Sequence, residues 1–341
     1  MKWFLREAIE LDIASVSHRS SYFSEFSKSA RDGLRTFFQV PDEYKIFYTY
    51  SATESMEIIV RSTVLSRSHH FMNGAFSKRF YDTALDLWKK PTVEELEIGE
   101  WKYSDEVPED AELICITCTE TSTWVMVEDG YISHMRKKYS EKLIAVDITS
   151  SGWGIVHHIP DADMWFFSLQ KCFGLPAGMA ILIMNEKAIE KSQQVYAQTK
   201  DIGSVHSLHH LLLRRKDYQT SETPNVLDIY LLSKQMEVFN KIGMQWMYEQ
   251  TLKKREFIDK SIRENSWLYE FVKDPSLRAK TVAVIGMNPA KIDKAMSTLK
   301  NEGIILGAGY GPLAFSTIRV ANFPSHTDEN LEALFYHLKK V

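Results

Sequence analysis

Lys171 lies in "FFSLQKCFGLPAGMAILI", residues 166–183, a stretch that is apolar almost throughout. An ammonium buried there without a partner is costly. Either the side chain runs its stem out to water, or the chain needs a neutral amine at this point. A desolvated lysine has a lowered pKa and becomes nucleophilic toward carbonyls. The best-known use of such an amine is a Schiff base with pyridoxal phosphate. That cofactor makes further demands. Its ring nitrogen needs a carboxylate, and Asp147 in "LIAVDITSSGWG" stands 24 residues before Lys171. Its phosphate needs N–H groups at a helix start, which "YTYSATESMEIIV" offers at Ala52 and Thr53. Its ring needs a flat neighbour, which "NGAFSKRF" offers at Phe76. Each has a plainer reading: a turn carboxylate for Asp147, an ordinary helix cap before Ala52 and Thr53, a core aromatic for Phe76.

These residues need elements to aim them. "YKIFYTYS", "HHFMNGAF", "AELICITCTET", "LIAVDIT", "DMWFFSLQK" and "GMAILIMN" read as strands or strand–turn units. "ATESMEIIVRSTVL", "SKRFYDTALDLWKK" and "ISHMRKKYS" read as helices between them. Short apolar strands alternating with helices predict an α/β domain with a mainly parallel sheet. Ligands bind such sheets beyond the carboxyl ends of the strands, where Lys171 and Asp147 both fall. From "TPNVLDIYLLSKQMEVFNKIG" onward the pattern changes, with Thr223 and Pro224 as cap and first turn of a long helix. "MQWMYEQTLKKREFIDKSIREN" predicts another helix, and the strands "AKTVAVIGMN" and "IRVANFP" alternate with two more in a smaller α+β unit. The expected division is 1–235 for a large cofactor-binding domain and 236–341 for a small C-terminal domain.

The bulk composition excludes several classes. The 341 residues carry a net charge of −4, which argues against a nucleic-acid surface. No apolar run is long enough for a membrane helix, and "MKWFLREAIELD" lacks a signal-peptide pattern. The three cysteines, Cys115, Cys118 and Cys172, form no disulfide framework and fit a reducing, cytoplasmic setting. Cys115 and Cys118 make a C-x-x-C with no second pair to complete a zinc site, so core cysteines and no metal are expected.

Eight pieces occur in one order along the chain: "SHRSSYF", "SATESME", "NGAFSKRF", "TETST", "AVDITSSGW", "SLQKCFGLPAG", "TPN" and "GYGPLAFSTIRVANFP". Together they resemble the class V pyridoxal-phosphate aminotransferases of fold type I. The resemblance implies a large domain with a seven-stranded, mainly parallel sheet, a smaller C-terminal α+β domain, and a homodimer with shared active sites. It implies that Lys171 holds the cofactor and moves a proton at the substrate α-carbon, while Asp147 pairs with the ring nitrogen. Phe76 would stack on the ring, and Thr121 would contact its hydroxyl side. Ala52, Thr53, Thr149 and Gln170 would hold the phosphate, with Thr223 reaching the phosphate of the neighbouring subunit. Arg319 would bind the substrate α-carboxylate through its planar guanidinium. His18 and Arg19 match a pair that binds a substrate phosphate. The implied substrates are a 2-oxo acid, phosphorylated or plain, and glutamate.

The chain departs from the family pattern at three places. The segment before Arg319, "GYGPLAFST", has Pro312 and Ala314 and no cation. Trp124 stands after "ETST", where glycine is common, and Glu222 precedes "TPN", where an amide is common. Arg79, His206 and Lys78 are further cations that composition alone offers. The thinner cationic set leaves a plain substrate open, as in alanine–glyoxylate or serine–pyruvate transamination. A cysteine desulfurase would need a reactive cysteine in the C-terminal part, and none follows Cys172. A catalytically silent relative would have less reason to keep both Lys171 and Asp147.

Overall fold

The computed structural model describes residues 1–102, 104–152, 154–199, 203, 205–213 and 215–341, with Lys216 in its backbone only. Trp153, the last residue of "AVDITSSGW", lies outside the described residues.

In chain order the strands are β1 Lys45–Thr49, β2 Ser68–Met72, β3 Thr92–Glu95, β4 Leu113–Thr117, β5 Thr119–Glu120, β6 Val125–Met126, β7 Leu143–Asp147, β8 Met164–Ser168, β9 Ala180–Met184, β10 Leu268–Glu270, β11 Val282–Met287, β12 Gly307–Ala308 and β13 Thr317–Ala321. The helices are α1 Lys2–Glu10, α2 Ser21–Phe38, α3 Ala52–Thr63, α4 Ala75–Asp86, α5 Tyr131–Lys138, α6 Glu186–Thr199, α7 Leu208–Leu212, α8 Val226–Ile242, α9 Met244–Arg263, α10 Pro289–Asn301 and α11 Asp328–Leu338.

Seven strands form one sheet in the order β1-β9-β8-β7-β4-β2-β3. The expected mainly parallel sheet is present, with one reversal: β9 runs antiparallel to both β1 and β8. Two successive antiparallel pairings return β1 to the direction of β8. The carboxyl ends of β1, β2, β3, β4, β7 and β8 therefore share one edge.

Alternate strand residues serve different faces. Leu143, Ala145, Met164 and Phe166 join a core under α3 and α4, while Ile144, Val146, Trp165 and Phe167 join the larger core on the other side. Burial on both faces explains why "LIAVD" and "MWFFS" are apolar runs rather than alternating ones. Each large side chain so buried contributes about 1.5–3 kcal/mol. Cys115 and Cys118 are both buried, one in each of these cores, as expected of core cysteines.

A second, antiparallel sheet of order β10-β11-β13-β12 forms near the C-terminus. One expectation is corrected here. The cap of α8 is Asn225, whose Oδ1 accepts the N–H of Asp228 at 3.1 Å. Thr223 and Pro224 precede the helix, and the Thr223 carbonyl accepts instead from the Tyr50 hydroxyl at 3.4 Å. The side-chain amide oxygen reaches the first-turn N–H from two residues nearer the helix than the expected cap.

Candidate active site

The shared strand edge gathers the candidate residues. A cavity of about 150 Å³ is lined by Ala52, Thr53, Phe76, Thr121, Asp147, Thr149, Gln170 and Lys171, together with Ser51, Met56, Thr119 and Ser168. Each comes from the carboxyl end of a strand, the connection after it or the helix that follows. Eight residues singled out from the sequence thus meet in one chamber, from stretches more than a hundred residues apart.

The lysine is aimed by a tight turn. Strand β8 ends at Ser168, and Lys171 opens a turn in which the Gly174 N–H donates to the Lys171 carbonyl at 3.1 Å. Gly174 has φ +62°, a conformation that glycine adopts without a steric penalty. Burial lowers the Lys171 pKa, and the positive charge of Arg319 lowers it further. Asp147 closes β7, the strand beside β8, and is only 4% exposed. Its Oδ1 accepts the Thr149 N–H at 2.8 Å. Burial pushes its carboxyl up to about 6, with the charge of Glu120 adding and Thr149 and Lys171 opposing.

The opposite wall begins at α3. Ser51 caps this helix, its hydroxyl accepting the Glu54 N–H at 3.0 Å. The Ala52 N–H donates to Ser168 Oγ at 2.9 Å, tying α3 to the end of β8. First-turn N–H groups lack intrahelical partners and favour an anion. The Thr119 and Thr149 hydroxyl oxygens are buried in the same chamber with no hydrogen-bond partner. Thr121 pairs its hydroxyl with Ser150. A lysine of lowered pKa, a buried carboxyl, an aromatic ring, a helix start and unpartnered hydroxyls fit a phosphorylated, cationic aromatic aldehyde.

The other candidates lie outside this lining. Arg319, on β13, donates from Nε to the Ala308 carbonyl at 2.8 Å, and its guanidinium sits 5.6 Å from the Tyr310 ring centroid. The Tyr310 ring packs on Phe76 at 5.6 Å between centroids. Arg319 therefore reaches the chamber wall through one aromatic residue, and its charge is felt at Lys171. Arg19 is exposed and donates to Gln219 Oε1, the Thr220 carbonyl and the Ser221 carbonyl at 3.1, 2.7 and 3.0 Å. His18 stands edge-on to Phe23. Its pKa is lowered by desolvation and by the charge of Arg19. Arg19 is thus docked on the segment that leads to Thr223, itself exposed. Within one chain the structure does not bring His18, Arg19 or Thr223 to Lys171. Of the cations offered by composition, Lys78 pairs with Asp82 at 2.7 Å and His206 with Glu54 at 2.9 Å, while Arg79 is exposed.

Two departures from the family pattern have structural counterparts. Trp124 has φ +75°, the left-handed region that favours glycine. It is fully buried, with Arg255 and Arg278 at 4.3 and 5.4 Å from its ring and its Nε1–H on the Ala279 carbonyl at 3.2 Å. Packing and cation–π attraction hold a bulky residue where strain would otherwise exclude it. Glu222 is partnered by His210 at 2.7 Å. Glu120, beside Thr121, has no signal in the local sequence that marks it as part of the site. It is wholly buried, and its burial depends on contacts 44 residues away in the chain.

The sequence matches the Aminotransferase class-V family over residues 2–332. It is 27% identical over 329 residues to a phosphoserine aminotransferase of Rhodococcus opacus (strain B4), covering 94% of this chain and 86% of that protein. The crystal structure of a phosphoserine aminotransferase from Cytophaga hutchinsonii ATCC 33406 superposes with a TM-score of 0.94 at 37% identity, covering 99% of this chain and 94% of that one. An alanine–glyoxylate aminotransferase from Nostoc sp. shares the fold, with a TM-score of 0.84 at 20% identity over 97% and 90% of the two chains. With a lysine and a carboxylate at neighbouring strand ends and a family match over nearly its whole length, this chain belongs to the class V aminotransferases.

Proposed function

We propose that the protein is a phosphoserine aminotransferase that uses pyridoxal phosphate. It would take the amino group of glutamate, release 2-oxoglutarate, and convert 3-phosphohydroxypyruvate to O-phosphoserine. The observation that carries the cofactor is the single chamber holding Lys171, Asp147, Phe76 and the start of α3. The substrate rests on the 37% identity to the Cytophaga hutchinsonii enzyme across 99% of this chain.

The cofactor, when bound, supplies an electron sink for the pair released at the substrate α-carbon. The chain supplies the rest. Asp147, buried and oriented by Thr149, favours a protonated ring nitrogen because an opposite charge offsets its own desolvation. Ala52 and Thr53 at the start of α3, with Thr149 and Gln170, hold the phosphate. Phe76 covers one ring face, Thr121 stands at the hydroxyl side, and Arg319 binds the substrate α-carboxylate. Lys171, with its lowered pKa, is the amine that anchors the cofactor and then moves the proton at the α-carbon.

The exposed Thr223, outside the chamber lining of its own chain, supports a homodimer in which it reaches the phosphate in the partner's chamber. Arg19 is bonded to residues 219–221, just before Thr223. The reading also places the division between a cofactor-binding unit, 1–235, and a smaller unit, 236–341, inside α8.

Two observations favour a second reading, transamination of a plain 2-oxo acid such as glyoxylate or pyruvate. Arg19 already spends its guanidinium on three oxygens, and no cation lies in the segment 309–317. Purified protein assayed on a panel of 3-phosphohydroxypyruvate, pyruvate and glyoxylate with glutamate, alanine and serine decides between them. The proposal expects the phosphorylated acceptor to have the highest kcat/KM; a preference for glyoxylate or pyruvate overturns it.

A further inference from the structure

Glu120 is fully buried, and five donor groups converge on its carboxylate. The Phe76 N–H reaches both oxygens at 3.3 and 3.1 Å, and the Ser77 N–H reaches Oε2 at 2.9 Å. Ser77 Oγ lies 3.0 Å from Oε2, while the Ser122 N–H and hydroxyl reach Oε1 at 3.1 and 2.6 Å. Ser122 Oγ in turn accepts the Ala75 N–H at 2.9 Å. A Cβ on Gly74 would fall 2.4 Å from Glu120 Cγ and 2.6 Å from Ser122 Oγ. Gly74 is therefore required for space, since its φ of 173° is extended backbone open to any residue.

A helix start needs no such device for its own stability. Ser51, Asn225 and Thr327 cap α3, α8 and α11 from the preceding residue with a neutral side chain. The cap of α4 is an acidic side chain from a different connection, the one after β4. It stands between Thr119 and Thr121, which line the chamber, and it grips another lining residue, Phe76. Hydrogen bonds from N–H and O–H to a carboxylate are short, directional and about twice as strong as neutral ones.

We propose that Glu120 is a positioning residue that fixes the spacing and tilt of Phe76 over the pyridoxal ring. It clamps the "NGAF" and "TETST" walls together through one carboxylate. The inference rests on the cofactor reading above. In this arrangement Glu120 sets the ring's cover through Phe76, its charge separately raising the Asp147 carboxyl, and Phe76 packs in turn on Tyr310.

The test is a double-mutant cycle on pyridoxal-phosphate affinity, with visible circular dichroism of the bound cofactor as a second readout. Apoproteins of the wild type, Glu120→Gln, Phe76→Ala and the double variant are titrated with pyridoxal phosphate, and each is melted without it. Glu120→Gln is expected to weaken binding about tenfold, as loss of a charged acceptor predicts, and to reduce the visible dichroism. In the Phe76→Ala background it is expected to cost much less, because the ring it positions is gone and only its charge effect on Asp147 remains. A Glu120→Gln protein with lowered thermal stability but wild-type affinity and dichroism overturns the proposal. So does an equal loss of affinity in both backgrounds. If Glu120→Gln does not fold, Ser122→Ala removes one donor from Oε1 and carries the same cycle at about threefold amplitude. A wild-type protein that takes up no pyridoxal phosphate overturns the underlying site assignment as well, and is distinguished by that control alone.

Discussion

Thr149 donates its backbone N–H to Oδ1 of Asp147 at 2.8 Å, so the carboxyl at the end of β7 enters the chamber already oriented. The bond comes from the turn that follows the strand, two residues on. The carboxyl is therefore held by its own connection and does not depend on a bound ligand for its direction.

Asp147 gives the cofactor-free protein a defined pH dependence. Its carboxyl sits at about 6 in the folded chain against an ordinary 3.8. Since the folded value is the higher one, the stability from the protonated form is complete below about pH 4 and lost as pH rises through about 6. Asp147→Asn should therefore stabilise the apoprotein by up to about 3 kcal/mol near pH 7.5 and by much less near pH 4.5. Thermal melts at the two pH values measure it, and a gap that does not change with pH refutes the burial argument. In the loaded protein the same variant should bind pyridoxal phosphate more weakly.

Lys171→Ala removes the amine and should lower turnover by about a thousandfold or more. Borohydride should fix the cofactor covalently to the wild type and not to the variant, read by mass and by visible absorbance. Covalent retention in the variant would move the anchoring role to another lysine.

Arg319→Ala should raise KM for every substrate alike, by about a hundredfold, because all share the α-carboxylate. Steady-state assays with glutamate and with the 2-oxo acid acceptor check this. An effect confined to one substrate would place Arg319 on a side chain instead.

Arg19→Ala should raise KM for 3-phosphohydroxypyruvate about tenfold or more, and far more than KM for alanine. The variant also frees the carbonyls of Thr220 and Ser221, which Arg19 now binds at 2.7 and 3.0 Å. Loosening of that segment alone would affect both substrates, so equal changes would sink the phosphate role.

Trp124→Gly sets two effects against each other. Relief of the left-handed conformation gains about 1–2 kcal/mol, while loss of a buried indole costs about 3–5 kcal/mol. The expected result is a net destabilisation of about 1–4 kcal/mol, measured by urea unfolding. A more stable variant would show that strain outweighs the stacking on Arg255 and Arg278.

Much of the site was legible because strand ends leave a mark in sequence. Lys171 and Asp147 each follow an apolar run, and Ala52 and Phe76 each follow a strand and open a helix. Such marks are local, set by the alternation of apolar and turn residues. Glu120 left no such mark. An acidic residue inside "TETST" reads as a surface charge until β4 and the turn after β2 are placed side by side. The docking of Arg19 on residues 219–221 was equally hidden, since it joins segments 200 residues apart.

The sequence by itself determined the alternation of strands and helices, the strand-end positions of Lys171 and Asp147 and the order of the motifs, all of which are encoded in short-range patterns of burial and turn chemistry. Tertiary structure alone decided the reversed β9, the carboxylate clamp of Glu120, and the left-handed Trp124 held between two arginines. It also decided that Arg319 is coupled to the chamber while Arg19 is docked on residues 219–221, outside the chamber's lining. These depend on which distant surfaces meet, and that is set by the packing of both faces of the sheet rather than by any local preference of the chain.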